Sequence, residues 1–322
     1  PEWGESRFTA AVKTRPDWCL SRQRYWGVPI PAFQCKDCGH VHLDEATLNH
    51  VIDRVEKSGV EVWYEEPAEK LLPPGTKCGE CGSANLEKES DILDVWFDSG
   101  VSWYAVLKQN PELGYPADVY LEGSDQHRGW FQSSLLSSCA MNGRAPYDAL
   151  LTHGFVVDGL GHKMSKSKGN VIAPQKVMDT SGADILRLWV ASTDYSGELS
   201  ISEEILKRVV ESYRRIRNTL RFLLANLTDF NPEKDSIPTD DCLEIDRYML
   251  ALTVALQENL TQSYQRYEFH QAVHQLHNFC SEDLGGFYLD ILKDRLYTSA
   301  THGLPRRSAQ TVLYHIAHSL VR

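Results

Sequence analysis

Apolar positions along the chain change their period, and the changes mark its organisation. Residues 15–33 run from a Trp/Tyr-rich stretch into Val28-Pro29-Ile30-Pro31-Ala32-Phe33, which predicts a loop and a short strand. Residues 34–89 are polar, with a helix expected near 44–58 and a turn at Pro73-Pro74-Gly75. From Asp91 the pattern shortens. Ile92-Leu93-Asp94-Val95-Trp96-Phe97, Asp118-Val119-Tyr120-Leu121 and Leu150–Val157 predict strands, and Trp130, Phe131, Leu135 and Leu136 predict a helix over 129–141. Strand, helix and strand in succession imply an α/β unit with a largely parallel sheet. After Ser196 the period becomes helical. Leu206, Val209, Tyr213, Ile216, Leu220 and Leu223 form one stripe, and Ser202 with Glu203 and Glu204 supplies an N-cap and an acidic first turn. Residues 244–297 and 305–322 continue in that style, so the second unit is a helical bundle.

Composition sets the class. The chain has 322 residues, 42% hydrophobic and 24% charged, which suits two or more globular units. No apolar run approaches the ~20 residues that span a bilayer, and the start lacks a signal-peptide pattern, so a cytoplasmic protein with no membrane partner is expected. A net charge of −11 argues against non-specific coating of nucleic acid and leaves local basic clusters as the sites for polyanions. The first residues, Pro1-Glu2-Trp3-Gly4, are no translation start, and residues 315–322 stop inside a periodic pattern; both ends read as cuts.

The eight cysteines fall into two groups. Cys19, Cys139, Cys242 and Cys280 lie in apolar context and are expected to be small buried hydrophobes. Cys35-Lys36-Asp37-Cys38-Gly39 and Cys78-Gly79-Glu80-Cys81-Gly82 are two copies of one device. A two-residue gap lets two thiolates converge on one ion, and the glycine permits the turn that points N–H groups at sulfur. Reduced structural cysteines and a thioredoxin-like pair are the alternatives. Doubling of the spacing favours a structural Zn2+ in a closed four-sulfur shell, leaving His40 and His42 unnecessary as ligands.

Lys163, Lys166 and Lys168 lie between Gly161 and Gly169 among the hydroxyls of Ser165 and Ser167. Such a loop can fold over a triphosphate, although a solvated basic turn is the usual reading of a lysine-rich loop. The second motif, Leu121-Glu122-Gly123-Ser124-Asp125-Gln126-His127-Arg128-Gly129-Trp130, lies where a strand hands over to a helix, the usual place for nucleotide contacts in an open α/β sheet. Gly123 allows close approach, Asp125 can accept two ribose hydroxyls, and Gln126 offers donor and acceptor. A helix cap or a metal site would account equally for an acidic loop alone.

Together with the stretch 16–31, Asp94–Gly100 and Leu186–Tyr195, these motifs resemble the class I aminoacyl-tRNA synthetases, in the bacterial form of the isoleucyl branch. The resemblance covers nearly the whole chain, including Phe287–Asp290 and Lys293–Arg295. It implies the second half of a Rossmann-like catalytic domain with a zinc-ribbon-like insertion, followed by an incomplete α-helical anticodon-binding bundle. The implied segments are 1–33 for catalytic core, 34–89 for the zinc insertion, 90–198 for the catalytic domain with its lysine loop, and 199–322 for the helical domain.

The implied activity is ATP-dependent formation of isoleucyl-adenylate, with Mg2+ assisting, and transfer to tRNA(Ile) by a monomeric protein. Lys166, supported by Lys163, would grip the phosphates, with Met164, Ser165 and Ser167 completing the loop. Glu122, Gly123, Asp125 and Gln126 would hold the adenylate, and His153 and Gly154 would lie near adenine. Trp96 and Trp130 would wall the side-chain pocket, although both suit a core. Arg214, Arg217 and Arg221 align on one helix face; a solvated face is the default, and the resemblance raises an RNA contact.

Two departures qualify this. No His-x-Gly-His motif occurs in the chain and no editing domain is present, so the polypeptide alone is expected to be inactive in isoleucine-dependent pyrophosphate exchange. The alternatives are a non-catalytic zinc-ribbon tRNA-binding module, or the same activity with valine or leucine.

Overall fold

The protein is described by a computed structural model covering residues 2–322, so Pro1, at one of the suspected cuts, lies outside the described residues. The chain forms two compact units, Pro1–Thr152 and His153–Arg322. No helix among the described residues is long and apolar enough to cross a membrane.

The first unit opens with helix α1 (Glu2–Lys13) and strand β1 (Ser21–Arg22). Strands β2 (Phe33–Cys35) and β3 (Val41–His42) follow, then α2 (Glu45–Ser58), whose N-cap Asp44 accepts from the Thr47 N–H at 2.7 Å. Single turns α3 (Val62–Glu65) and α4 (Ala68–Leu71) lead to β4 (Leu86–Lys88), which pairs antiparallel with β2. The segment builds a core of its own, with Phe33, Val51, Trp63, Leu71 and Leu86 buried around Cys35 and Cys78.

Strand β5 (Ile92–Leu93) pairs antiparallel with β1 and is shorter than the expected strand over 92–97. Asp94 ends it. Its side chain accepts from the Trp96 N–H at 3.1 Å and caps helix α5 (Val95–Gly100), an N-cap hidden inside an apolar run. Strand β6 (Ala117–Gly123) precedes a 3-10 turn over Ser124–Arg128 and helix α6 (Trp130–Asn142), which ends at Gly143 with φ of 69°. Strand β7 (Tyr147–His153) is the neighbour of β6, and Tyr120, Phe131 and Tyr147 form the core between strands and helix.

In the second unit the apolar run expected as one strand to Val157 breaks at Gly154. A Cβ there would lie 1.9 Å from the Gly197 carbonyl oxygen, so only glycine allows this close approach. Strand β8 (Val156–Val157) follows, then α7 (Pro174–Ser181), α8 (Ala183–Ser192) and β9 (Leu199–Ser200), which pairs parallel with β8. The described strands form four small sheets of two or three strands, two of them antiparallel, in place of one largely parallel sheet. Short hydrogen-bonded segments interrupted by caps and glycines explain the difference.

The helical part begins at α9 (Glu203–Ala225), where Ser202 accepts from the Ile205 N–H at 3.2 Å. After a turn α10 (Pro232–Asp235) come α11 (Glu244–Gln265), α12 (Phe269–Asn278), a π-helical stretch over Phe279–Tyr288, α13 (Leu289–Thr298) and α14 (Leu304–Leu320). Their stripes meet in a core where Leu223, Met249, Leu284, Leu292, Leu313 and Ile316 are fully buried, each worth about 1.5–3 kcal/mol relative to exposure. Of the four scattered cysteines, Cys242 and Cys280 are buried as expected, whereas Cys19 and Cys139 are exposed. Cys19 lies in the link between α1 and β1, and Cys139 on the outer side of α6 near its end.

Asp246 sits within the helical core, fully buried, and is satisfied by named donors. The Arg295 guanidinium donates to both its oxygens at 2.6 and 2.8 Å, the Tyr288 hydroxyl donates at 2.7 Å, and Ser308 donates a further bond. Removing the guanidinium would strand a buried charge, so Arg295→Met is expected to cost about 3–5 kcal/mol. Urea unfolding followed by circular dichroism checks this, and a loss below about 1 kcal/mol would contradict it.

Candidate functional site

Three groups of side chains carry chemistry, and each is described within its own unit. In the first unit the cysteine hairpins bring four sulfurs within 4.8 Å of one another. Cys35 Sγ lies 3.6 Å from Cys81 Sγ, and Cys38 Sγ lies 3.6 Å from Cys78 Sγ. Four thiolates on a tetrahedral ion at a 2.3 Å Zn–S distance would stand about 3.8 Å apart, so the cluster has the right size. Gly39 and Gly82 adopt φ of 74° and 73°, and their N–H groups close each hairpin on Cys35 and Cys78. Backbone N–H groups of Cys81 and Glu80 hold the Cys78 thiol down to about 6. Cys38 moves the other way, to about 12: the His40 N–H lowers it, but crowding by Cys81, burial, Cys78 and Cys35 outweigh that. Four thiols this close cannot all ionise without a cation among them, so the donor set fits a metal ion.

In the same unit, Gly123 is buried at the end of β6, with Glu122 and Asp125 exposed on either side. Gln126 donates to Asp125 at 3.2 Å and accepts from the Trp130 N–H at 2.9 Å, bending the chain into α6. A Cβ on Gly129 would lie 2.3 Å from Gln126 Oε1 and 3.1 Å from the Trp96 ring, so this glycine lets Trp96 lie beside Trp130. Trp130 is fixed on its other side. Its ring stacks on Tyr120 at 4.0 Å, and its N–H donates to the Ser99 carbonyl at 3.0 Å. Asp125, Gln126 and Trp130 are thus linked through one turn, with Trp96 packed on Gly129 within it.

In the second unit the loop 158–170 is a clasped hairpin. Asp158 accepts from the Leu160 and His162 N–H groups at 2.9 Å and from Asn170 Nδ2 at 2.9 Å, while Asn170 Oδ1 accepts from the Ser165 N–H at 2.9 Å. Those donors, Asn170 first, hold the Asp158 carboxyl at about 2. Met164 packs against the cluster of Ile185, Trp189 and Leu199. Ser165 and Ser167 hydroxyls are 3.1 Å apart. Lys163, Lys166 and Lys168 are exposed and form no ion pair among the described residues; Lys163 lies 5.3 Å from the Phe155 ring centre. A fixed backbone presenting three free ammonium groups suits a polyanion. Asp158 and Asn170 escaped the sequence reading, although their twelve-residue separation around Gly161 and Gly169 is the available signal.

His153 ends β7 with Nδ1 2.8 Å from the Gly154 carbonyl oxygen, and the Gly154 N–H donates to the Tyr195 carbonyl at 3.0 Å. Arg214, Arg217 and Arg221 are all exposed on α9 and unpaired among the described residues, opposite buried Val209 and Leu223.

Residues 1–202 match the family described as tRNA synthetases class I (I, L, M and V). The chain belongs to that family. Residues 246–322 match the anticodon-binding domain of tRNA ligases. Along its whole length this synthetase chain is 66% identical to the isoleucine–tRNA ligase of Nitrosomonas europaea and 63% to that of Thiobacillus denitrificans. It spans about a third of each, 34%. Among solved structures it resembles the methionyl-tRNA synthetase of Mycobacterium tuberculosis in complex with methionyl-adenylate, with a TM-score of 0.67 and 16% identity over 99% of this chain and 54% of that one. It also resembles a LeuRS of Agrobacterium radiobacter in a ternary complex with tRNA and LeuAMS, with a TM-score of 0.65 and 22% identity over 95% and 40%. These likenesses establish a class I synthetase fold with an anticodon-binding helical region.

The cysteine cluster makes a prediction that needs no family knowledge. Purified protein should carry one metal ion per chain, and Cys78→Ser should lose it and open residues 33–88 to protease. Metal analysis with limited proteolysis checks this; a metal-free protein equally resistant in chelator would refute it.

Proposed function

We propose that this chain is a working part of an isoleucine–tRNA ligase, which joins isoleucine to ATP as isoleucyl-adenylate and then esterifies tRNA(Ile). One observation carries the reading: 66% identity to an isoleucine–tRNA ligase runs through the whole chain, and the lysine loop it contains is clasped with its ammonium groups in no ion pair among the described residues. The division into core 1–33, metal insertion 34–89, catalytic domain 90–198 and helical domain 199–322 belongs to the same reading, as does a cytoplasmic monomer.

Activation needs no protein nucleophile. The isoleucine carboxylate attacks the α-phosphorus, and pyrophosphate leaves in line. Lys166, with Lys163, draws charge off the phosphates, and Ser165, Ser167 and loop N–H groups donate hydrogen bonds to them. Mg2+ entering with ATP supplies further neutralisation. Met164 anchors the loop so that its lysines face outward together. Asp125 accepts the ribose hydroxyls, Glu122 the substrate ammonium, and Gln126 orients the adenylate across Gly123. His153 and Gly154 border adenine. Trp96, packed on Gly129, and Trp130, backed by Tyr120, wall the branched side chain. The four cysteines would hold Zn2+ in a closed shell, a structural role with no open position for water. The polypeptide by itself lacks a His-x-Gly-His motif and is therefore inactive in pyrophosphate exchange.

Two measurements test the reading. In the complete synthetase carrying this sequence, Lys166→Ala should lower isoleucine-dependent pyrophosphate exchange about 100-fold or more, chiefly in kcat. Unchanged exchange would remove Lys166 from the site. Replacing Arg214, Arg217 and Arg221 with alanine should weaken tRNA(Ile) binding and flatten its dependence on salt, whereas unchanged affinity and slope would take that face out of the interface.

A further inference from the structure

One side chain behind the proposed side-chain pocket controls the pose of Trp130. Tyr120 lies on β6 and is 4% exposed. Its ring and the Trp130 indole are parallel to within 6°, with centroids 4.0 Å apart. An indole has a single donor, so hydrogen bonds hold it at one atom. That N–H donates to the Ser99 carbonyl at 3.0 Å and lies 3.3 Å from Ser102 Oγ. A ring held at one edge atom is free to tilt about it, and the flat contact with Tyr120 removes that freedom.

Tyr120 cannot itself retreat. Tyr147, on the neighbouring strand β7, lies 4.8 Å from it between ring centres, and the fully buried Phe131 borders it at 6.4 Å. The Tyr120 hydroxyl is buried beside Ser102 and Ser134 and makes no hydrogen bond of ordinary geometry among the described residues. An aliphatic side chain would fill this space without stranding a hydroxyl. What the aromatic ring adds is a flat face for Trp130 to rest on.

A pocket that separates isoleucine from valine has one methylene to measure, a difference worth about 10–200-fold. A wall that moves by that much erases it. We propose that Tyr120 is a specificity-determining positioning residue: from behind, its stack fixes the plane of Trp130 and thereby the depth of the side-chain pocket. This inference rests on the ligase reading and deepens it. Without the stack the indole tilts into the space the ring vacates. Isoleucine then loses the close contact that its extra methylene makes, whereas valine has none to lose. Phosphoryl chemistry is unaffected, because the lysine loop and Asp125 keep their places.

The test measures pyrophosphate exchange with isoleucine and with valine in the complete synthetase carrying this sequence. Tyr120→Leu should raise KM for isoleucine about tenfold with kcat and KM for ATP little changed. The preference for isoleucine in kcat/KM should fall about tenfold, the equivalent of ~1.4 kcal/mol. Tyr120→Phe keeps the ring and should keep the preference. If circular dichroism shows that the leucine variant is unfolded, Tyr120→Met, which fills the space with a flexible chain, reads the same ratio. Trp130→Phe should also lower the preference, and adding Tyr120→Leu to it should lower it little further, because the two act through one ring. A preference unchanged in the folded Tyr120→Leu or Tyr120→Met protein overturns the inference, as do losses that simply multiply in the double variant; both leave the ligase reading standing. Absence of isoleucine-dependent exchange in the unaltered synthetase overturns both.

Discussion

A carboxylate withdrawn from water must be given donors, and this constraint shapes the chain at three places. Asp94, 5% exposed, stops a strand, caps α5 and holds Trp18 and Arg22. Asp158 draws the Leu160 and His162 N–H groups and Asn170 around itself, which turns a lysine-rich stretch into a fixed hairpin. Asp246 collects Tyr288, Arg295 and Ser308 from three parts of the helical region. In each case unmade hydrogen bonds would cost more than the ordering they impose. The apolar stripes decide which faces meet; these aspartates decide where elements stop and in which register they lock.

The same logic explains why the chemistry-bearing groups stand free. Lys163, Lys166 and Lys168 have no carboxylate partner among the described residues, and Asp158 at the base of their loop is engaged by neutral donors. Held at about 2, it stays ionised and occupied at physiological pH. The cysteine cluster is the opposite case. Its sulfurs crowd one another, and Cys78, favoured by backbone N–H groups, is shifted down while Cys38 is shifted up, the pattern of a donor set that a cation would suit. A loop that offers cations to a phosphate chain and a shell that demands a cation are both consequences of local hydrogen-bond supply.

Glycine sets the remaining geometry at two points where backbones or rings must touch. Gly154 lets the strand break against Gly197, and Gly129 lets Trp96 reach the surface beside Trp130. A methyl group on Gly154 would displace the Gly197 backbone, and one on Gly129 would displace Gln126 and Trp96 of the proposed site. The site is therefore tuned by residues that bring no chemistry of their own.

Much of this was legible in the residues. The doubled Cys-x-x-Cys-Gly spacing contained the four-sulfur cluster, because two short hairpins with turn glycines have little choice of shape. The helical period from Leu206 to Leu223, with Ser202 before it, determined α9, its cap and its exposed arginine face, because both signals act within a few turns of one helix. Tertiary structure decided what depends on distant partners. Asp94 reads as part of an apolar strand until Trp18 and Arg22 are seen to meet it. Cys19 and Cys139 read as buried and are exposed, because an apolar neighbourhood in sequence does not decide which face of a segment other elements cover. The pairing of Asp158 with Asn170, of Asp246 with Arg295, and of Gln132 with Arg15 across 117 positions leaves no periodic trace, because hydrogen bonds between remote segments are set by packing and not by local spacing.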